Sequence, residues 1–213
     1  HGHFSCISLG ADFYSGGLIA ELPAERVKVT DLEKVNPKLS IDKNGDIIIS
    51  ICLKTKLGNI LKNINISKRE ERVSVSYSFS KKKIIGSVRL GILTILDDFN
   101  QDLEILFANG GKKLESFCFN DEFDHSKPAS SFVSSSRGVG ATTGEIILKN
   151  NKNKIFINWD NAESAVMPML QNIVANEEKL TRIIFSMQEY DDTLKNPISL
   201  GSFKLSISGK KLK

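Results

Sequence analysis

Along most of its length the chain alternates short apolar-rich runs with clusters of turn-forming residues, the pattern of a β protein. Val73-Ser74-Val75-Ser76-Tyr77-Ser78-Phe79 alternates apolar and polar positions without a break. It reads as a strand whose odd-numbered residues face a core. Leu39-Ser40-Ile41 and the run Ile47 to Leu53 flank Asp42-Lys43-Asn44-Gly45-Asp46, where Asn-Gly accepts the positive φ of a tight hairpin. Asn109-Gly110-Gly111 predicts a second hairpin, between Leu103 to Ala108 and Lys113 to Phe119. A third joins Glu145 to Leu148 with Ile155 to Trp159 across the polar turn Asn150 to Asn153. Ile183 to Met187 and Phe203 to Ile207 supply later strands. The long run Ile84 to Leu96 contains Gly86 and Gly91, and glycine inside a strand marks a bulge or a bend.

One stretch has helical spacing. Between Ala162 and Leu180, apolar residues stand at 166, 169, 170, 173 and 174, and Pro168 suits the first turn of a helix. A short helix is therefore predicted from about Pro168. Serine-rich Pro128 to Arg137 is the best loop candidate, and no internal repeat or linker interrupts the chain. Strand runs with so little helix between them exclude a doubly wound α/β fold. The expectation is all-β: one domain over residues 1–213, a large antiparallel sandwich of supersandwich or jelly-roll type with one short helix. The opening His1-Gly2-His3 fits a piece cut from a longer chain.

Charge narrows the partners. The 29 basic and 25 acidic residues leave a net charge of +4, and the lysines gather in turns such as Lys81-Lys82-Lys83 and Lys149 to Lys154. A nucleic-acid partner, which would call for arginines and aromatics on one face, is not expected. No apolar run approaches the roughly 20 residues that span a bilayer, and no signal peptide is visible. Neither a membrane partner nor export is expected, and a cytoplasmic location fits. Cys6, Cys52 and Cys118 are odd in number and far apart, so they predict free thiols, with Cys52 and Cys118 serving as small hydrophobes within strands.

The candidate chemistry is sparse. Gly138-Val139-Gly140-Ala141-Thr142-Thr143-Gly144 runs into a strand-like segment instead of opening a helix, so it reads as a turn and not as a nucleotide cradle. Asp42 to Asp46 lacks the spacing of a calcium loop. No cofactor and no metal is expected. Asp121-Glu122-Phe123-Asp124-His125 gathers acids beside a histidine, which makes His125 a candidate ligand contact. Trp159-Asp160-Asn161 joins the single indole to a carboxylate and an amide. Sugar sites use such sets, since the ring covers apolar C–H faces while the polar groups take hydroxyl protons. Trp159 and Asp160 fall on opposite sides of a strand, so both serve one ligand only if the chain turns near Asp160. Glu189-Tyr190-Asp191-Asp192 follows a strand, and Glu189 with Asp191 is the candidate acid/base pair, with Arg89 or Arg137 as a polar clamp. None of the serines sits in a nucleophile elbow.

The order of these runs resembles the β-supersandwich, or galactose-mutarotase-like, domains of carbohydrate-active enzymes. The pattern is similar to the C-terminal sandwich of glycoside hydrolase family 57 amylases and glucanotransferases. The resemblance rests on Asp12-Phe13-Tyr14-Ser15-Gly16-Gly17-Leu18, on Val73 to Phe79, on the hairpin Gly144 to Trp159 and on the strand before Glu189. Mutarotases use a pair of histidines, and outside the extreme N-terminus this chain has His125 alone, so their catalytic set does not carry over. What the resemblance implies is an accessory domain that packs on the catalytic domain of the same chain and touches carbohydrate. The candidate ligand contacts read from the residues themselves are Trp159, Asp160, His125 and Arg137. Two other readings stand beside it: a free-standing sugar-modifying enzyme using carboxylates, and a structural or protein-interaction sandwich.

Overall fold

The structure is a computed structural model that describes residues 15–80, 83–95, 99, 102–118, 138–175, 178–190 and 200–212. Two antiparallel sheets face each other. The smaller holds β1 (Gly17–Leu22), β2 (Val27–Thr30), β7 (Ser87–Ile95), β12 (Met167–Ala175) and β13 (Glu178–Gln188), in the order β12-β13-β7-β1-β2. The larger begins with β3 (Lys38–Ile41), β4 (Ile47–Thr55), β5 (Gly58–Ile66) and β6 (Arg72–Phe79). It continues through β8 (Glu104–Ala108), β9 (Leu114–Cys118), β10 (Glu145–Lys149), β11 (Asn153–Trp159) and β14 (Phe203–Lys211). Its nine strands run β3-β4-β5-β6-β14-β11-β10-β8-β9. The expected large antiparallel sandwich is the fold observed.

The three predicted hairpins form. Gly45 (φ +85°) and Gly110 (φ +70°) take the left-handed backbone that their turns require. The Asp42 carboxylate accepts the Asn44 and Asp46 amides at 2.8 and 2.9 Å, and Asn150 Oδ1 accepts those of Lys152 and Asn153 at 3.0 and 2.8 Å. Side chains here replace the backbone partners that a chain reversal removes.

Between the sheets, alternating residues interleave. Trp159 meets Phe185 edge to face at 5.4 Å between ring centroids, Phe185 lies 5.9 Å from Phe203, and Phe203 6.3 Å from Tyr77. The pairing register of β7 slips at Gly91, which takes φ +57°, and a Cβ there would press on Leu205 and Phe203 at 3.0 Å. The predicted bulge thus lets the backbone approach the aromatic row.

A polar tie crosses the sandwich at one point. Lys62 of β5 donates to Asp31 Oδ2 and to the Gly16 carbonyl, each at 2.6 Å, and Asp31 Oδ1 accepts the Leu18 amide at 3.0 Å. The Tyr77 hydroxyl donates to the same Gly16 carbonyl, beneath the Lys62 ammonium. Burial, and then the Asp31 charge, push that phenol well above its ordinary pKa, so it keeps the proton it donates.

Three expectations are corrected. Met167–Ala175 is a strand, not a helix. The apolar run looked helical because Pro168, Met169 and Leu170 are all buried in succession, where a one-sided strand would alternate. β12 is an edge strand whose free side is partly covered: Val139 N–H donates to the Pro168 carbonyl at 2.8 Å, and Gly138 bridges Met169. Proline is tolerated on such an edge. Second, Cys52 and Cys118 are free but exposed rather than buried, since both take outward positions, and Cys6 lies outside the described residues. Third, Val73 does not join Val75, Tyr77 and Phe79 in the core. It belongs to an end of the larger sheet that overhangs the smaller one. There Leu39 (72% exposed), Ile41 (70% exposed), Ile47, Ile66 and Val73 point to the inner side, and none of them is buried by the described strands.

Candidate functional site

Strand β11 delivers Trp159 inward and ends there. The chain turns at Asp160, as a shared site for the two would need. Asp160 Oδ1 accepts the Ala162 amide at 2.8 Å, the Asp160 carbonyl accepts that of Ser164 at 3.1 Å, and Asn161 donates to the Thr142 carbonyl at 2.7 Å. Gly144 (φ +73°) brings the glycine-rich turn against this corner, its carbonyl accepting the Trp159 amide at 2.9 Å. A hollow of about 530 Å³ opens beside it, walled by Thr142, Asn158, Trp159, Asp160, Asn161 and Lys204.

Trp159 reaches this hollow only as part of its wall. Its side is taken by Phe185, the residue is 6% exposed, and its buried indole N–H has no hydrogen-bond partner among the described residues. A stacking platform needs an open ring face. The polar lining of the hollow comes instead from Thr143, Asn158, Asp160 and Lys204.

Glu189 occupies a neighbouring hollow of about 600 Å³, lined largely by Val139, Val166, Met167 and Met187. Thr142 and Asn161 line both, so Trp159 and Glu189 flank adjoining hollows, not one cleft. Ser186 of β13 stands opposite Arg89 of β7, and Glu189 follows β13 directly, which sets the three together. Arg89 grips the carboxylate with both ends of its guanidinium, Nε to Oε1 at 3.0 Å and Nη2 to Oε2 at 2.7 Å, and Ser186 donates to Oε1 at 2.6 Å. Burial alone would raise the Glu189 pKa; Arg89 and Ser186 outweigh it and hold the carboxyl below its ordinary value. Glu189 is thus a paired, ionised carboxylate with no proton to give at neutral pH.

The sign of its pH effect follows. The unfolded chain protonates Glu189 first as pH falls, so the pair stabilises the fold above the ordinary glutamate pKa and stops doing so below the depressed one. Both partners are about one-third exposed, which limits the effect to about 0.5–1 kcal/mol. Glu189→Gln should lower stability by that much at pH 7, and the difference from the parent should vanish in acid. A difference that persists unchanged through the titration would refute the account.

His125, Arg137 and Asp191 lie outside the described residues. The signal that sequence reasoning missed is the lysine and amide on outward positions of β14 and β11, Lys204 and Asn158, which only the sheet order brings to Asp160. No group of three metal-ligating side chains occurs among the described residues, and none of the described helices is long and apolar enough to cross a membrane.

No family profile and no curated protein sequence matches this chain. Among solved structures it is similar to the α-galactosidase of Lactobacillus brevis, with a TM-score of 0.50 and 11% identity over 97% of this chain and 30% of that one. It is also similar to a GH36 α-galactosidase of Geobacillus stearothermophilus in complex with raffinose, at TM-score 0.47, 10% identity, and 91% and 30% coverage. The same enzyme in complex with 1-deoxygalactonojirimycin gives 0.48 and 10% over the same shares. The chain therefore spans 30% of the length of these enzymes. At such identities the likeness is one of fold. It is to a sandwich found in α-galactosidases, where the sequence pattern had suggested family 57.

Proposed function

We propose that this chain is an accessory β-sandwich of a glycoside-processing enzyme, and that it contacts carbohydrate at the hollow beyond β11. The observation that carries the reading is the chemistry of that hollow. Residues bearing hydroxyl, amide, carboxylate and ammonium groups line it, beside a Trp159 indole whose N–H has no partner among the described residues. A buried donor of this kind costs about 1–3 kcal/mol unless something satisfies it. A polyhydroxylated ligand supplies donors for Asp160 and acceptors for Lys204 and Thr143, which line the hollow. The sandwich fold, shared with part of an α-galactosidase, supports the accessory role. The rival reading is a free-standing enzyme with paired carboxylates; among the described residues Glu189 is paired with the Arg89 cation, which favours the accessory reading.

Raffinose and maltoheptaose, each titrated into the protein, should shift the emission of its single tryptophan. Thr143→Val combined with Asp160→Asn keeps the hydrogen bonds of the turn and should weaken the response about tenfold, or roughly 1.4 kcal/mol. If neither sugar moves the emission or the backbone amides of residues 158–162, the carbohydrate reading fails.

A further inference from the structure

The outer face of the larger sheet carries an unusual set of side chains. In lateral register across six strands stand Ser40, Ile48, Asn65, Ser74, Ser206 and Asn158. The adjoining row reads Lys38, Ser50, Asn63, Ser76 and Lys204. Between β4 and β6 these two rows hold no charge, in a chain of which 25% is charged. Small side chains leave the face shallowly depressed. A hollow of about 500 Å³ lies over it, and Lys204 lines both this hollow and the one beside Trp159.

Folding does not account for this face. Asparagine is depleted in strands, yet Asn63, Asn65 and Asn158 occupy interior strands of a nine-stranded sheet. Outward positions on a solvated sheet are ordinarily filled by charged or β-branched residues. None of the eight serine and asparagine side chains in the two rows makes a hydrogen bond to another described residue. Local preference is thus sacrificed at adjoining positions with no compensating hydrogen bond among the described residues, the mark of a functional surface.

We infer that this face binds a neutral, extended glycan chain laid across the strands, entering or leaving at the Trp159 hollow. The inference rests on the carbohydrate reading above and extends it from a corner to a track. Strands lie about 4.8 Å apart, so the five steps from Ser40 to Asn158 span roughly 24 Å, room for several linked sugar rings. Amides and hydroxyls both donate and accept, which matches sugar hydroxyls, whereas an anionic polymer would call for cations along the whole track. Lys204 and Lys38 stand only at its two sides. Half-buried Phe156, two residues from Asn158 on the same side of β11, offers an aromatic surface beside the track.

Electrophoresis through gels containing soluble amylose or galactomannan tests the track with the whole chain. The unmodified protein should be retarded by at least one polymer. Asn63→Ala with Asn65→Ala should lower the apparent affinity at least tenfold while leaving the raffinose and maltoheptaose response at Trp159 intact. Side-chain amide resonances of Asn63 and Asn65 should shift on adding the polymer to the unmodified protein, a readout that needs no variant to fold. Equal retardation of parent and variant overturns the track and spares the Trp159 site. A Trp159 response without any polymer retardation does the same, and loss of both signals removes both proposals. A variant that instead changes sedimentation behaviour would assign the face to protein association and overturn the inference.

Discussion

Asp31→Ala should lower the stability of the domain by about 3–5 kcal/mol, because it leaves the Lys62 ammonium buried without its counter-charge. Asp31 and Lys62 side chains are only 4% and 12% exposed, so water cannot take over the lost role. The same substitution strands the Leu18 amide at the start of β1. What remains to Lys62 is the Gly16 carbonyl, which it shares with the Tyr77 hydroxyl. Replacing the pair together, Asp31→Leu with Lys62→Met, should cost much less than the single change, since desolvation of two charges is no longer required. Urea unfolding of the three proteins measures both quantities. A single-variant loss below about 1 kcal/mol would show that the pair is solvated, against the geometry described.

Trp159→Ala should have an effect of similar size, about 3–5 kcal/mol, as expected for truncating a large buried aromatic. The ring supports Phe185, and through it Phe203 and Tyr77, so the loss would loosen the contact between the sheets. Trp159→Phe should recover much of the stability, because it restores an edge-to-face partner for Phe185. It also deletes the indole N–H. If the hollow recognises sugar through that donor, Trp159→Phe will bind weakly yet remain folded, which separates the two roles of the residue. Full stability of Trp159→Ala in thermal unfolding would contradict the packing.

Those two residues show where sequence reasoning reaches and where it stops. The hairpins at Asn44-Gly45, Asn109-Gly110 and Asn150 to Asn153 were legible because turn chemistry is local. The turn at Asp160 was legible for the same reason. The strand β12 was not, since burial of successive residues depends on a segment about 30 residues away, at Gly138 and Val139. Nor could the residues alone show that Arg89 and Glu189, 100 positions apart, clasp each other. The candidate acid/base role of Glu189 rested on its neighbours in sequence, while its chemistry is set by a neighbour in space. The serine–asparagine track was hidden more deeply. Each serine looks like an ordinary outward position, and only the pairing of six strands aligns them.

The overhang of the larger sheet has a bearing on how the domain behaves outside its fold. Leu39 and Ile41 contribute little to folding because they lie 70% or more in water. Replacing them should therefore cost little stability, yet they sit on an edge strand of four residues whose outer main-chain groups have no strand partner among the described residues. Such an edge can template another strand, and apolar side chains beside it favour that addition. Pro37 and Lys38, at the beginning of β3, are the residue types that interrupt it. Self-association of the purified domain at high concentration should therefore start from this short margin, independently of the free energy that holds its core together.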